Sequence, residues 1–404
     1  HWLEITTALP VLDWYEQTAE NDLMYWGLDY PPLTAFHSWL LGIVGHELLP
    51  DCFELFKSRG IESSSCKIFM RSSVLVSDIL VYLPGVLCAA SGFASSAEVA
   101  AARVGTFLLL WLLPPLLIID HGHFQYNCVC FGLCLSSAGC LARGRRLWAS
   151  VFFTSAFLFK QIALYYAPAF FFGILAYCLD KSPRGLGFAV GRVAVTGVVV
   201  LGTAAALFSP WLLLSEKPFA SAGQVLHRMF PFARGLYEDK VANFWCSISV
   251  AVKLQRFVPA GRVPLVCAVT TLAALLPGCS CCLRLPTAED TEKRWPGAAS
   301  FAASLFVSSM SFFLFAFQVH EKAVIFPAIA ACLLPLALGP QRPSWAAALL
   351  CHFLLVTLFS MYPLMVKDQL HVPYAAACAV LLVTCEALPA PWALRYMGWL
   401  SYAL

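Results

Sequence analysis

The chain has 404 residues, of which 60% are hydrophobic and only 12% charged, with a mean hydropathy of +0.75. Soluble globular domains carry roughly 25% charged residues, so composition excludes a water-soluble fold. The net charge of +3 is mild and no Lys/Arg-rich run forms a stripe for a phosphate backbone, which argues against nucleic acid as a partner.

The first residues, His1-Trp2-Leu3-Glu4, show neither an initiator Met nor a signal-peptide pattern, so the chain reads as N-terminally truncated. Residues 1–67 read as a large polar loop with one or two surface helices. Inside it lies Trp26-Gly27-Leu28-Asp29-Tyr30-Pro31-Pro32-Leu33-Thr34-Ala35-Phe36-His37. Pro31 holds Tyr30 extended and Pro32 suits a helix start, which places Asp29 in a rigid turn leading into a helix. Asp29 then either caps that helix or positions a ligand. Cys52 and Cys66 share the same polar loop and are candidates for a disulfide.

Residues 68–404 read as a multi-span bundle carrying one long loop, 215–256. Its apolar stretches run for about 16 to 25 residues, close to the roughly 20 that cross a hydrocarbon core. They fall near 68–91, 104–119, 126–142, 147–159, 162–178, 187–213, 257–283, 298–317, 323–338, 346–366 and 373–390. A helix satisfies its own backbone in lipid, so the expected fold class is an all-α polytopic membrane protein. The stretches 147–159 and 323–338 are short and are expected to be tilted, broken or re-entrant. No short-period repeat marks a solenoid, while inverted repeats of the transporter kind stay open.

Between the second and third stretches stands Asp120-His121-Gly122-His123-Phe124-Gln125-Tyr126-Asn127. Two His beside an Asp lack the further ligands of a metal site. A hydrogen-bonding surface for sugar hydroxyls suits this set better, and a self-satisfied helix junction is the plainer alternative. Lys160-Gln161 then interrupts apolar sequence, either as a functional cation or as a side chain snorkelling to the interface. The long loop holds Arg228-Met229-Phe230-Pro231-Phe232-Ala233-Arg234-Gly235-Leu236-Tyr237-Glu238-Asp239-Lys240-Val241-Ala242-Asn243-Phe244-Trp245, whose rings suit sugar faces or the interfacial belt and whose Arg residues suit phosphate. Phe317-Gln318-Val319-His320-Glu321-Lys322 follows, reading as contacts to an anionic leaving group or as an interfacial salt-bridge cluster.

Most of the 17 Cys, such as Cys128, Cys130 and Cys134, lie in apolar runs and read as buried thiols. Cys279, Cys281 and Cys282 end a span without further metal-ligand spacing, and packing or acylation is expected there. No Asn-x-Ser/Thr acceptor occurs.

Alternating spans put Arg103, Arg143, Arg145, Arg146, Lys181, Arg184, Arg284, Lys293, Arg294 and Arg342 in the short loops of one face. The opposite short loops hold only Lys160, Lys322 and Lys367. The positive-inside rule makes the first face cytosolic, and all five motif segments fall on the other. One shared reaction chamber accounts for that better than five unrelated accidents.

These segments, in this order across nearly the whole chain, resemble the dolichyl-phosphate-glucose-dependent α-1,3-glucosyltransferases of the endoplasmic reticulum. The Leu33-Thr34-Ala35 continuation is similar to the branch that adds the first glucose to Man9GlcNAc2-diphosphodolichol, the alternative being the branch adding the second. The resemblance implies a GT-C-type helical bundle with lumenal loops and surface helices around the active site. It implies dolichyl-phosphate glucose as donor, the lipid-linked oligosaccharide as acceptor, inversion, and no cofactor or metal.

It also implies roles: Asp29 positions the site, and His320, Lys322, Arg228 and Arg234 serve the donor phosphate. Asp120, His123, Gln125 and Tyr126 shape the sugar pocket. In the family an acidic Asp-Tyr-Glu-Ala-Gln-Arg motif stands just before His-Trp, so the general base is expected upstream of His1. A first span and a C-terminal portion are likewise expected beyond the chain, and the piece as given is expected to be inactive or nearly so. The competing classes are a polytopic transporter or lipid-binding scaffold and a catalytically dead remnant.

Overall fold

The computed structural model describes residues 1–94, 100–179, 185–230, 236, 241–252, 257–283, 297–339 and 345–387. Among these, regular structure is helical throughout. Two helices, α1 (Trp2–Ala8) and α2 (Pro32–Leu48), form the polar first region. As expected, α2 begins at Pro32, whose missing N–H is one the first helical turn leaves unpaired anyway. The two helices meet at Gly42, where a Cβ would lie 2.8 Å from the Leu3 carbonyl oxygen. Trp14, Tyr15 and Phe36 pack around Trp211 and fasten this region to the second polar region of the chain. Cys52 and Cys66 are disulfide-bonded, with Cα atoms 6.0 Å apart, and tie the loop after α2 to the next helix.

The bundle starts with α3 (Ser64–Phe93), one continuous helix widened by a π-turn at Asp78–Tyr82. Then comes α4 (Arg103–Phe124), interrupted at Leu113, where Pro114 and Pro115 remove backbone donors, and π-wound from Ile118. It is followed by α5 (Asn127–Ala142), α6 (Arg146–Phe159), α7 (Gln161–Leu179) and α8 (Gly185–Leu207). Three short helices, α9 (Ser209–Leu213), α10 (Pro218–Met229) and α11 (Phe244–Ile248), belong to the second polar region. The chain continues with α12 (Val263–Leu283), α13 (Ala298–Phe315), α14 (Glu321–Leu338), α15 (Ala346–Ser360), α16 (Tyr362–Lys367) and α17 (His371–Ala387).

Seven of these (α3, α4, α7, α8, α12, α13 and α14) are long and apolar enough to cross a membrane, and α5, α6, α15 and α17 are shorter apolar helices. Every expected span recurs among them. The differences sit at prolines: the stretch 187–213 breaks at Phe208 before Pro210, and 346–366 breaks at Met361 before Pro363. The helix expected from 257 starts at Val263, with Pro264 in its first turn. The stretch 323–338 lies within the 18-residue helix Glu321–Leu338, with 72% of its apolar window buried inside the bundle against 6% for α8. It is an inner helix, whereas α8 faces outward. Residues 388–390 of the last expected span lie outside the described residues.

The tightest seam joins α3 and α5. Gly85 and Gly92 on one face Gly132 and Gly139 on the other, both pairs seven residues apart. A Cβ on Gly132 would lie 2.5 Å from the Val81 carbonyl oxygen, and one on Gly92 2.6 Å from that of Gly139. Lipid offers no hydrophobic drive between helices, so such close backbone contact supplies the packing. Cys279 and Cys282 are buried against α13, with the Cys282 thiol 3.0 Å from the Ser304 hydroxyl, in keeping with the packing expectation.

His37 on α2 lies between the bundle and the first region, 3.3 Å from the Ser77 hydroxyl and edge-on to Tyr126 and Phe159. Burial pushes its imidazole down from 6.5 to about 4. Between those values the unfolded chain binds a proton that the folded chain does not, so stability falls as pH falls through this window, by about 3 kcal/mol in all. The thermal midpoint in detergent should therefore drop between pH 7 and pH 4, and His37→Phe should flatten the drop. An identical pH slope in the variant would remove His37 as its source.

Candidate active site

A cavity of about 620 Å³ opens where the ends of α6, α7, α10, α13 and α14 meet the turn before α2. Each of the five motif segments supplies at least one wall residue: Trp26, Asp29 and Tyr30; Asn127; Lys160 and Gln161; Met229, Phe230 and Leu236; Gln318, His320 and Lys322. The remaining wall is mostly apolar and includes Phe131, Leu164, Tyr165, Phe312 and Phe326.

The turn is held from several directions. Trp26 adopts φ 53°, a left-handed conformation that a bulky residue rarely keeps without outside support. The Trp2 indole supplies some of it by donating to the Trp26 carbonyl at 2.8 Å, and Arg228 donates to the carbonyls of Leu28 and Gly27 at 2.9 and 3.3 Å. The Tyr15 hydroxyl donates to the Tyr30 carbonyl at 2.7 Å. Gln161 completes the brace with its amide N–H groups, which reach the carbonyls of Asp29 and Met229 at 3.3 and 3.1 Å. One side chain thus links three motif segments. Arg228 props the turn and is not among the residues lining the cavity, one step from the donor-phosphate role expected of it. Arg234 lies outside the described residues.

Lys160 sits at the break between α6 and α7, in extended conformation, and this turns its side chain into the cavity. Its ammonium donates to Asn127 Oδ1 at 2.5 Å and Gln125 Oε1 at 3.3 Å and lies 5.3 Å from the centre of the Tyr30 ring. This is an inward, paired cation and not a snorkelling one. Lys322 approaches from the turn opening α14, with His320 beside it on the wall. The Lys322 ammonium is 3.3 Å from His123 Nε2, and His123 Nδ1 is 2.5 Å from an Asp368 oxygen. Gln125 and His123 therefore stand one step behind the two lysines.

Asp120 and Tyr126 lie off the wall. Asp120 is 1% exposed and accepts from the Asn127 amide at 2.7 Å and the Cys128 backbone N–H at 2.6 Å, so it fastens the start of α5. The Tyr126 hydroxyl pairs with Ser73 at 2.7 Å, and burial pushes its phenol up to about 12. Both stand in the frame behind the cavity and not among the residues that line it. The frame also uses residues that sequence reasoning did not single out: Asp368, and Asp78, which lies 2.6 Å from His121. Asp78 is an acid inside an apolar span, a signal by itself. Asp368 follows Lys367 in an ordinary-looking loop and carried none.

Two lysines and a carboxylate thus share one cavity with an apolar wall. A family model described as the ALG6, ALG8 glycosyltransferase family matches residues 1–394. The chain belongs to that family. The match includes all five motif segments and so every described wall residue of the cavity. Among curated relatives, a probable dolichyl pyrophosphate Man9GlcNAc2 alpha-1,3-glucosyltransferase of Dictyostelium discoideum is 41% identical over 385 residues, covering 95% of this chain and 70% of the relative. The Gallus gallus dolichyl pyrophosphate Man9GlcNAc2 alpha-1,3-glucosyltransferase is 40% identical over 392 residues, covering 96% and 71%. A probable enzyme of the same description from Drosophila melanogaster is 40% identical over 377 residues, covering 93% and 74%. Family membership makes the protein a glycosyltransferase, and the family match spans every described residue of the chamber.

Proposed function

We propose that the protein transfers glucose from dolichyl-phosphate glucose to Man9GlcNAc2-diphosphodolichol, forming an α-1,3 bond with inversion, at a cavity facing the endoplasmic reticulum lumen. The observation that carries this is the convergence of Lys160, Lys322, His320 and Asp29 on one cavity whose other wall is apolar. The activity for which the relatives are named supports the acceptor and the linkage.

In this reading the acceptor mannose hydroxyl attacks the anomeric carbon from the side opposite the phosphate. The C–O bond to phosphate breaks with its electron pair, and the hydroxyl proton passes to a carboxylate. By the resemblance that carboxylate is the Asp of the acidic motif that stands just before His-Trp in the family, and Asp29 positions the reacting groups. The Lys322 ammonium, with His320, meets the charge that grows on the departing dolichyl phosphate. Fixed donors aimed at developing charge supply the largest share of such catalysis. Lys160 holds the opposite wall. The lumenal assignment draws on the charge bias of the short loops and on the Cys52–Cys66 disulfide in the same polar region as the Trp26–Pro32 turn, since disulfides persist in oxidising compartments.

The test is incubation of the purified full-length protein with dolichyl-phosphate glucose and the lipid-linked Man9 oligosaccharide, read by mass spectrometry of the acceptor. The expected product is heavier by one hexose and is cleaved by an α-1,3-specific glucosidase. Transfer only to an acceptor that already carries one glucose would replace this reading by the second-glucose activity. Donor movement across a vesicle without product would replace it by transport.

A further inference from the structure

We propose that Asp368 and His123 act as a positioning pair for Lys322, which makes the turn between α16 and α17 part of the donor-phosphate site although it touches no substrate. The proposal rests on the reading of Lys322 as the donor-phosphate cation.

The geometry is directional. The Asp368 carboxylate accepts only, so at 2.5 Å it takes the proton-bearing Nδ1 of His123. In the neutral ring this leaves Nε2 as the acceptor, and Nε2 is the atom 3.3 Å from the Lys322 ammonium. A lysine side chain has four rotatable bonds, and anchoring one of its three N–H groups sets the direction of the others.

The backbone on both sides of the pair is held in sparsely populated conformations. Phe124, next to His123, has φ 78°, and Gln369, next to Asp368, has φ 58°. Such strain persists only where the surroundings over-determine it. Leu370 supplies part of that constraint: its N–H donates to the Met365 carbonyl at 2.9 Å, and its side chain lies where a Cβ on Gly122 would come within 2.9 Å. The two turns therefore lock together, and what the lock presents to the cavity side is the imidazole.

The test is steady-state kinetics, in the full-length protein, of Asp368→Ala, Asp368→Asn, Lys322→Ala and the double variant Asp368→Ala/Lys322→Ala, with donor and acceptor varied separately. Asp368→Ala should raise the donor KM about tenfold with the acceptor KM unchanged, and should add nothing in the Lys322→Ala background, since residues acting through one another are not additive. Asp368→Asn should restore most of the loss, because its carbonyl oxygen still accepts from Nδ1. If Asp368→Ala does not yield folded protein, His123→Phe keeps the ring, removes both nitrogens and should raise the donor KM in the same way. An unchanged donor KM in these variants, or an Asp368→Ala loss of equal size in the Lys322→Ala background, overturns the pair. Wild-type kinetics in Lys322→Ala itself would overturn the underlying reading of Lys322, a result distinct from failure of the pair alone.

Discussion

Replacing Lys322 by Ala should lower turnover by about two to three orders of magnitude, the loss expected on removing one preorganised partner for developing charge. The expectation follows from where the ammonium sits. It enters the cavity from the turn that opens α14, a helix enclosed by the bundle. Water is a poor replacement, because it must reorganise as the charge grows while a fixed ammonium is already oriented. Lys322→Arg keeps the charge, but a planar guanidinium does not fit the 3.3 Å contact to His123 that a compact ammonium makes, and recovery should be partial. The measurement is the initial rate at saturating donor and acceptor. A rate within about threefold of wild type would remove Lys322 from the transition state.

The second large effect concerns folding. Gly132→Leu should abolish recovery of monodisperse protein, because a side chain there must displace the Val81 backbone, which has no free rotamer by which to yield. Overpacking of side chains commonly destabilises by about 1–3 kcal/mol, and a clash with backbone on a seam made by close approach exceeds that. Gly202→Leu is the matching control: on the outward helix α8 a Cβ meets nothing within 4 Å, so this variant should elute and melt like the parent. Size-exclusion profiles of the two variants decide the point. Equal behaviour would show that the glycine seam does not hold α3 to α5.

Much of the fold was legible because the solvent is so selective. A segment such as 298–317 has one structure open to it in hydrocarbon, and α13 occupies nearly that range. Helix breaks were less legible. Pro210 and Pro363 start new helices, yet Pro277 and Pro335 lie inside α12 and α14, and the difference depends on what packs around them. The gathering of Asp29, Lys160, His320 and Lys322 could be expected from the alternation of spans. Their partners could not. Asp120 and His123 are three residues apart in one motif, and one faces the interior of the frame while the other faces Lys322, because a π-wound helix end does not follow the ordinary helical spacing. Arg228 meets the carbonyls of Gly27 and Leu28 across about two hundred residues of chain, a contact no local pattern encodes.

The apolar wall formed by Phe131, Leu164, Phe312 and Phe326 beside two lysines has a kinetic consequence. A substrate that meets this wall while its tail stays in the bilayer is sampled from a two-dimensional pool, and confinement raises its effective concentration without any added contact. The quantity that sets the rate is then the mole fraction of donor among the surrounding lipids. Diluting the vesicles with buffer should leave the rate per enzyme unchanged, whereas diluting the donor with other lipid should lower it.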